Sequence, residues 1–533
     1  MKNKKNTGSF YTPESIASFL VEYLFYKIKN KERVSILEPS AGDGVFIKTI
    51  YKHDGLSRKI AKVVAVEQSL IELTKLIQGV NQDSLCAIHS DFLEFQDKYK
   101  QLFSLVIGNP PYIKKSLLSK NQIESCRNIH QSANLEDITP KNIWTSFLVR
   151  CIEYLEDDGI LAFILPSELL KVKYAKELLD LILSKFERVE IFTFRELLFK
   201  ECKGQDTVIL IGEKKSASKG VFYCTIDKIN DLKGERFVLI QDVKVNESKW
   251  THFQLEAVEI ELLEKLKEEL KTVNDLCNSK AGIVTAANDF FIVNEKTVDD
   301  YSLHNYVKPI IQKGAFINGN IELSKDDFQL LIDRAKPTYL LTVNKNSKLS
   351  RSTDFWNYIK IGEDQNIHKR FKTSIREIWY EVPNVGTPPE AFFFRRCSEY
   401  PKLIKNNAKV LTTDCAYTIS MKDNFVLDNF LFAFYNSLTL AFAELYGRSY
   451  GGGVLELTPN EFKNLPVPYL DILPDDFESF VKDFSVKTTI KEICRKNDIK
   501  IFKSIYPDID LDRIEKVFQI REKLYLRRIK SGG

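Results

Sequence analysis

The sequence is short of the residues that build covalent or metal scaffolds. Its nine cysteines are odd in number, scattered and without a C-x-x-C pair. That excludes a disulfide framework and points to a reduced compartment. The six histidines show no H-x-x-x-H spacing, so no metal site is expected. No apolar run is long enough to span a bilayer, and no apolar signal core follows the basic start Met1-Lys2-Asn3-Lys4-Lys5-Asn6. These absences place the expected protein in the cytoplasm, away from membranes. There is no internal repeat and no long low-complexity stretch. Neither sign of charge dominates: 77 basic residues stand against 73 acidic ones, a net of +4. Such a balance does not by itself mark a binder of polyanions, though it allows a local basic cleft.

What is present is ordinary globular composition, 44% hydrophobic and 28% charged, over 533 residues, enough for two or three domains with separate cores. The first part alternates short β-rich runs with helical patterns, which predicts an α/β fold with a mostly parallel sheet covered by helices. Ser15 to Tyr26 reads as an amphipathic helix with Ile16, Phe19, Leu20, Tyr23 and Leu24 on one face. Val34–Leu37, Val63–Val66, Leu102–Gly108, Ile160–Leu165 (after the turn signal Asp158-Gly159) and Thr207–Gly212 read as strands. Most are continuous apolar runs, as expected of strands buried on both faces. Past about Ser216 the character changes: strands shorten, and Gly, Asn and aromatic residues mix. Glu256 to Lys271 reads as a charged helix, and the last stretch as helical, ending in the basic run Arg521 to Arg528. The expected divisions are 1–235, an α/β domain, 236–470, an α+β domain, and 471–533, a helical basic segment.

Candidate functional residues cluster after the predicted strands. Glu38-Pro39-Ser40-Ala41-Gly42-Asp43-Gly44 follows the first. A Gly-rich turn between strand and helix lets a ligand approach the backbone closely, but the dinucleotide spacing is absent. Glu38 and Asp43 would repel a pyrophosphate and attract a cation, such as a sulfonium bearing an amino group. Glu67 ends the second strand, where a carboxylate can accept ribose hydroxyls. Asp91-Phe92 offers an acceptor beside a ring, suited to an adenine. Each alone has a plainer reading: a turn, a solvated strand end, an N-cap. Their order along one sheet edge favours a ligand site, because open α/β sheets bind ligands at the carboxyl ends of their strands.

The most informative residues are Asn109-Pro110-Pro111-Tyr112, after the run Leu102–Gly108. Proline fixes φ, lacks an N–H and pushes the preceding residue to extended backbone, so the turn is rigid. It presents an amide, a carbonyl that no helix absorbs and an aromatic ring. This suits a planar amino group, with two acceptors for its hydrogens and a ring to stack on it.

These motifs in this order resemble the gamma class, or Taq type, of adenine-N6 DNA methyltransferases. The resemblance runs through Gly8-Ser9-Phe10-Tyr11-Thr12-Pro13, Leu37 to Gly44, Glu67, Asp91-Phe92, Asn109 to Tyr112, and Leu165-Pro166-Ser167. Phe147 sits where the family has a phenylalanine against the cofactor adenine. Phe199, before the Gln205–Gly212 run, resembles the aromatic that stacks on a flipped base, with Phe192 and Phe194 nearby. The second part is similar to the specificity regions of longer members. The matching segments are Ala281–Phe291, Tyr417 after Thr413-Asp414-Cys415-Ala416, and Leu457-Thr458-Pro459 through Leu465-Pro466-Val467-Pro468.

The resemblance implies a Rossmann-like catalytic domain that uses S-adenosylmethionine, followed by a target-recognition domain for double-stranded DNA. It implies a cofactor site of Thr12, Glu38, Ser40, Gly42, Glu67, Asp91, Phe92, Asn109 and Phe147. Asn109, Pro110 and Tyr112 would act on the target amine, with Tyr112 and Phe199 stacking on the base. Asn-Pro-Pro-Tyr also occurs in enzymes that methylate RNA adenine or protein glutamine, and a non-catalytic subunit with a relic fold is a further alternative. The size of the second part and the N-terminal Phe10-Tyr11-Thr12-Pro13 favour DNA; Lys369, Arg370, Arg376, Arg395, Arg396 and Arg448 are candidate contacts, each more simply read as a solvated charge. Few residues precede the first motif, and the second half shows no P-D…E-x-K pattern, so any restriction endonuclease is expected to be a separate chain.

Overall fold

The structure is a computed structural model and describes residues 11–95, 102–136, 138–170, 176–194, 207–226, 232, 237–242, 255–317, 319–343, 353–450 and 453–530. It divides into two compact units, Met1–Gln254 with Lys530–Gly533, and Leu255–Ile529.

The first unit is built on one nine-stranded sheet. Its strands are β1 (Val34–Glu38), β2 (Ile60–Glu67), β3 (Leu85–His89), β4 (Phe103–Gly108), β5 (Leu155–Pro166), β6 (Arg188–Phe194), β7 (Thr207–Glu213), β8 (Gly220–Ile226) and β9 (Ile240–Asp242). The order is β3-β2-β1-β4-β5-β7-β6-β8-β9. The first five run parallel, β7 is antiparallel to both β5 and β6, and β8 is parallel to β6. The helices are α1 (Glu14–Ile28), α2 (Val45–Lys52), α3 (Asp54–Ser57), α4 (Leu70–Gly79), α5 (Lys120–Ser132), α6 (Trp144–Glu153) and α7 (Lys176–Lys185).

Alternation along the strands sends side chains into two cores. Ile36, Val63, Ala65, Leu105, Ile107 and Ala162 pack with Ile16, Leu20, Leu24, Phe46 and Ile47 on one face. Leu37, Val64, Val66, Val106, Leu161 and Phe163 pack with Ile129, Phe147, Leu148 and Ile182 on the other. A sheet buried on both faces needs the unbroken apolar runs seen in the sequence.

Two features depart from the sequence reading. The expected Asp158-Gly159 turn lies inside β5: the pairing with β4 steps from Phe103↔Leu155 to Leu105↔Ile160, so Glu156–Gly159 bulge out of register. The sheet also continues past Ser216, through β8 and β9. α1 is tied to this half of the sheet. Lys27 pairs with Glu190 at 2.8 Å and Glu213 at 2.7 Å, and the Tyr23 hydroxyl donates to Glu190 at 2.9 Å. These contacts hold the C-terminal half of α1 against β6 and β7.

The second unit is mixed. A four-stranded antiparallel sheet pairs Cys277–Ala281, Ala416–Met421, Ala391–Phe394 and Lys402–Lys405 in that order. Gly282 follows the first strand, and a Cβ there would stand 2.2 Å from the Thr413 carbonyl oxygen. Only glycine permits this approach, which lets Gly282 N–H bond the Ala416 carbonyl at 3.0 Å. The Tyr417 hydroxyl donates to the Leu457 carbonyl at 2.9 Å, so three segments singled out in the sequence meet.

The C-terminal helices Pro474–Ser485, Ile490–Ile505 and Leu511–Lys530 pack into the second unit. Phe480, Phe484, Ile493, Ile501, Val517 and Leu524 join the same core as Phe393, Ile419 and Phe434. Within the basic run, Arg521 and Arg528 are buried.

Candidate active site

In the order β3-β2-β1-β4-β5 the winding reverses between β1 and β4, and ligands of open α/β sheets bind at such a switch point. The sequence-selected residues lie there. Glu38 is the last residue of β1 and Glu67 of β2; Asp91 follows β3 by two residues, and Asn109 directly follows β4.

On the β1–β2 side the backbone is arranged around acid. Gly42 has φ +54°, and nothing lies within 4 Å of where its Cβ would stand, so the turn faces open space. Glu67 shapes that turn: one carboxylate oxygen accepts the Gly42 N–H at 2.8 Å, the other the Ser69 N–H at 2.7 Å. A carboxylate accepts about four hydrogen bonds, so these two leave capacity for hydroxyls. Glu38 is 1% exposed, and its Oε2 is buried without a hydrogen-bond partner among the described residues. Burial first, and then the Glu67 and Asp43 carboxylates, push its carboxyl well above the usual range. The Tyr11 hydroxyl is pushed up to about 12 by partial burial and by Glu72, Asp43 and Glu67. An unpartnered buried carboxyl among further carboxylates, beside an open glycine turn, suits a cationic ligand and opposes an anionic one.

On the β3 side, Asp91 Oδ1 accepts the Leu93 N–H at 3.0 Å, while Oδ2 accepts from Gln122 at 2.9 Å and Gln68 at 3.3 Å. Neither glutamine stood out in the sequence. Gln122 belongs to a Ser119–Gln122 capping box, whose S-x-x-Q pattern marks the start of α5 but not a partner at Asp91. Phe92 and Phe147 pack against each other, ring centroids 5.1 Å apart, and both are buried.

At the end of β4, Asn109 is held by hydrogen bonds to several segments. Its Nδ2 donates to Thr12 Oγ1 at 3.3 Å, and its Oδ1 accepts from the Tyr112 hydroxyl at 3.0 Å. Its backbone carbonyl accepts from Ser40 Oγ at 3.2 Å. The N-terminal motif, the Gly-rich turn and the Asn-Pro-Pro-Tyr turn are thus joined through one residue. The amide is oriented with nitrogen toward Thr12 and oxygen toward Tyr112. The Tyr112 hydroxyl shares its one hydrogen between Asn109 Oδ1 and the Ile164 carbonyl of β5, also 3.0 Å away, which anchors a ring that is 8% exposed. Pro110 is buried beside it. Phe199 lies outside the described residues. Its neighbour Phe192 is fully buried against Phe19 and Tyr23, and Phe194 is in the same core, so both serve the sheet.

The family described as Eco57I restriction-modification methylase matches residues 49–199, and the C-terminal domain of the Type II methyltransferase M.Eco57I matches residues 247–502. The chain is a Type II restriction-modification methyltransferase. This methylase is 25% identical to the Type II methyltransferase M.AccI of Acinetobacter calcoaceticus, over 86% of its own length and 85% of that relative's. It is 22% identical to M.HindII of Haemophilus influenzae, covering 93% and 99% of the two chains. Its fold is like that of the Type IIL restriction-modification enzyme MmeI, solved in complex with DNA. The TM-score is 0.57 at 13% identity, with 97% of this chain and 75% of that one covered. Its methyl donor is S-adenosylmethionine, a sulfonium with an α-amino group, and the unpartnered Glu38 and the open Gly42 turn fit a donor of that charge.

Proposed function

We propose that this methylase transfers a methyl group to N6 of an adenine flipped out of double-stranded DNA, at a specific site. The observation that carries this reading is the Asn109 amide, oriented by Thr12 and Tyr112 at the rim of an acidic, cation-favouring turn. The exocyclic nitrogen of adenine is a weak nucleophile because its lone pair is delocalised into the ring. Asn109 Oδ1 and the Pro110 carbonyl accept its two hydrogens and so favour a localised lone pair. Tyr112, its hydroxyl anchored on β5, stacks on the base and fixes its plane. Phe199 is proposed for the opposite face. Neither acceptor acts as a strong base, since the proton leaves after the new bond has formed.

S-adenosylmethionine supplies an electrophilic methyl group. Glu38, Glu67, Asp91, Phe92 and Phe147 would hold it, with Thr12, Ser40 and Gly42 shaping the same rim. Much of the rate effect is then alignment of nitrogen with that methyl group. Extruding the base costs a few kcal/mol. The second unit is proposed to supply that energy and the sequence readout. With no P-D…E-x-K pattern in the second half, the reading is a methyltransferase with a separate restriction partner or with none.

Single-molecule sequencing of DNA from a host expressing the chain is expected to find N6-methyladenine in one sequence context. Unmodified adenine throughout would overturn the reading.

The acidic turn makes a second prediction. Burial, with Glu67 and Asp43, raises Glu38, so the free protein holds a proton there at pH values where an ordinary carboxyl has lost it. Glu38 gives up that proton when a cationic ligand binds beside it. Affinity for S-adenosylmethionine should therefore rise with pH until Glu38 is deprotonated in the free protein, and level off above that point. Calorimetry in buffers of different ionisation heat should record proton release on binding, and Glu38→Gln should abolish it. Equal heats in all buffers for the wild-type chain would exclude the coupling.

A further inference from the structure

The second unit's candidate cations are sorted by the structure. Arg395 and Arg396 pair with Glu456 at 3.4 and 3.2 Å, and Arg448 pairs with Glu461 at 3.0 Å. Arg376 turns inward, donating to the Thr285 carbonyl at 2.8 Å and the Trp379 carbonyl at 3.3 Å. Lys369 and Arg370 remain exposed, joined by Lys372, and among the described residues no carboxylate comes within ion-pair distance of these three.

Between these cations stand two apolar side chains. Phe371 is 80% exposed and Ile375 is 71% exposed, four residues apart around one helical turn. Solvated phenylalanine gains nothing from folding, so a ring held this far out suggests a partner. The mount beneath it is rigid. Thr373 is fully buried, and its hydroxyl donates to the Arg370 carbonyl at 2.9 Å and to the Ile367 carbonyl. Ile367 is buried too, and the Arg376 guanidinium crosses the Phe291 ring at 5.3 Å. The turn is thus pinned from the core side, while Phe371 and Ile375 are exposed on the same segment as Lys369, Arg370 and Lys372.

We infer that Phe371 and Ile375 form a wedge that enters a DNA duplex between base pairs, with Lys369, Arg370 and Lys372 seated on the flanking phosphates. An exposed apolar pair next in sequence to three cations that have no carboxylate partner among the described residues matches the minor-groove pattern, in which an inserted side chain unstacks a step and cations hold the backbone. The exposed acids nearest in sequence are Glu363 and Asp364 before the patch and Glu377 after it, and none of them comes within ion-pair distance of the three cations. The inference rests on the DNA reading given above.

The test uses the full chain and a fluorescein-labelled duplex carrying the site that sequencing identifies. Phe371→Ala should weaken binding by roughly five- to a hundredfold, the range of one lost aromatic–base stack, with the salt dependence unchanged. Phe371→Trp should restore most of it. Replacing Lys369, Arg370 and Lys372 by glutamine should lower the slope of log affinity against log salt by about 0.9 per cation that contacts phosphate. Because all five side chains are exposed, thermal unfolding should not change. Unchanged affinity and slope in a chain whose wild type methylates DNA would overturn the wedge and leave the function standing. A change confined to self-association, measured by sedimentation, would assign the patch to a second copy and also overturn it. A wild-type chain that methylates no DNA would remove the functional reading and the wedge with it.

Discussion

Replacing Asn109 by alanine is expected to lower methyl transfer by about 10²–10³-fold, the range seen when one preorganised polar group is removed from a reacting centre. Affinity for S-adenosylmethionine should be unchanged. The side chain is aimed by Thr12 and Tyr112, 3.3 and 3.0 Å away, while the acidic turn that suits the donor is shaped by Glu67. The Asn109 backbone carbonyl, which takes the Ser40 hydroxyl at 3.2 Å, survives the substitution, so the link to the Gly-rich turn survives as well. A tritiated-methyl assay beside a calorimetric titration separates the two quantities. Undiminished turnover would remove Asn109 from the chemistry. Parallel loss of binding and turnover would make it a cofactor residue instead.

Arg528→Ala should destabilise the second unit by about 3–5 kcal/mol, as expected when one partner of a buried ion pair is deleted. Arg528 and Glu444 are both nearly inaccessible and meet through two contacts, 2.7 and 2.8 Å. The guanidinium also donates to the Ser398 carbonyl at 2.7 Å and to the Gly453 carbonyl. Alanine strands the Glu444 charge and leaves these carbonyls without that donor. The midpoint of urea unfolding should fall with the slope unchanged. Arg528→Met combined with Glu444→Leu should recover much of the loss, since a matched apolar pair carries no desolvation cost. A solvated, DNA-contacting arginine would give the opposite result, with weaker DNA binding and unaltered unfolding.

Much of the first unit was legible because its signals are local. Continuous apolar runs at Phe103–Gly108 and within Leu155–Pro166 encode strands covered on both sides. Proline after Asn109 and glycine at 42 restrict the backbone wherever they occur. Glu38, Glu67, Asp91 and Asn109 could be grouped because parallel strands bring their carboxyl ends to one edge, whatever lies between them in the chain. Less visible was which strand lies next to which. β7 enters between β5 and β6 in the antiparallel sense, and the sheet runs on past Ser216. Strand order depends on pairing between distant segments, which no local pattern records.

By itself, the sequence determined the two-sided α/β sheet of the first unit, the rigid Asn-Pro-Pro-Tyr turn and the acidic character of the turn after β1. Each is a property of residue type and spacing. Only the tertiary structure decided how charged side chains are used. Arg528 and Arg370 are alike in sequence, yet one is buried on Glu444 and the other exposed beside Phe371. Gln122 reaches Asp91, and Thr12 reaches Asn109, across 31 and 97 residues of chain. The reason is physical. A charge or an amide acts through whatever the fold places within about 3 Å of it, and that neighbour is set by packing over the whole unit.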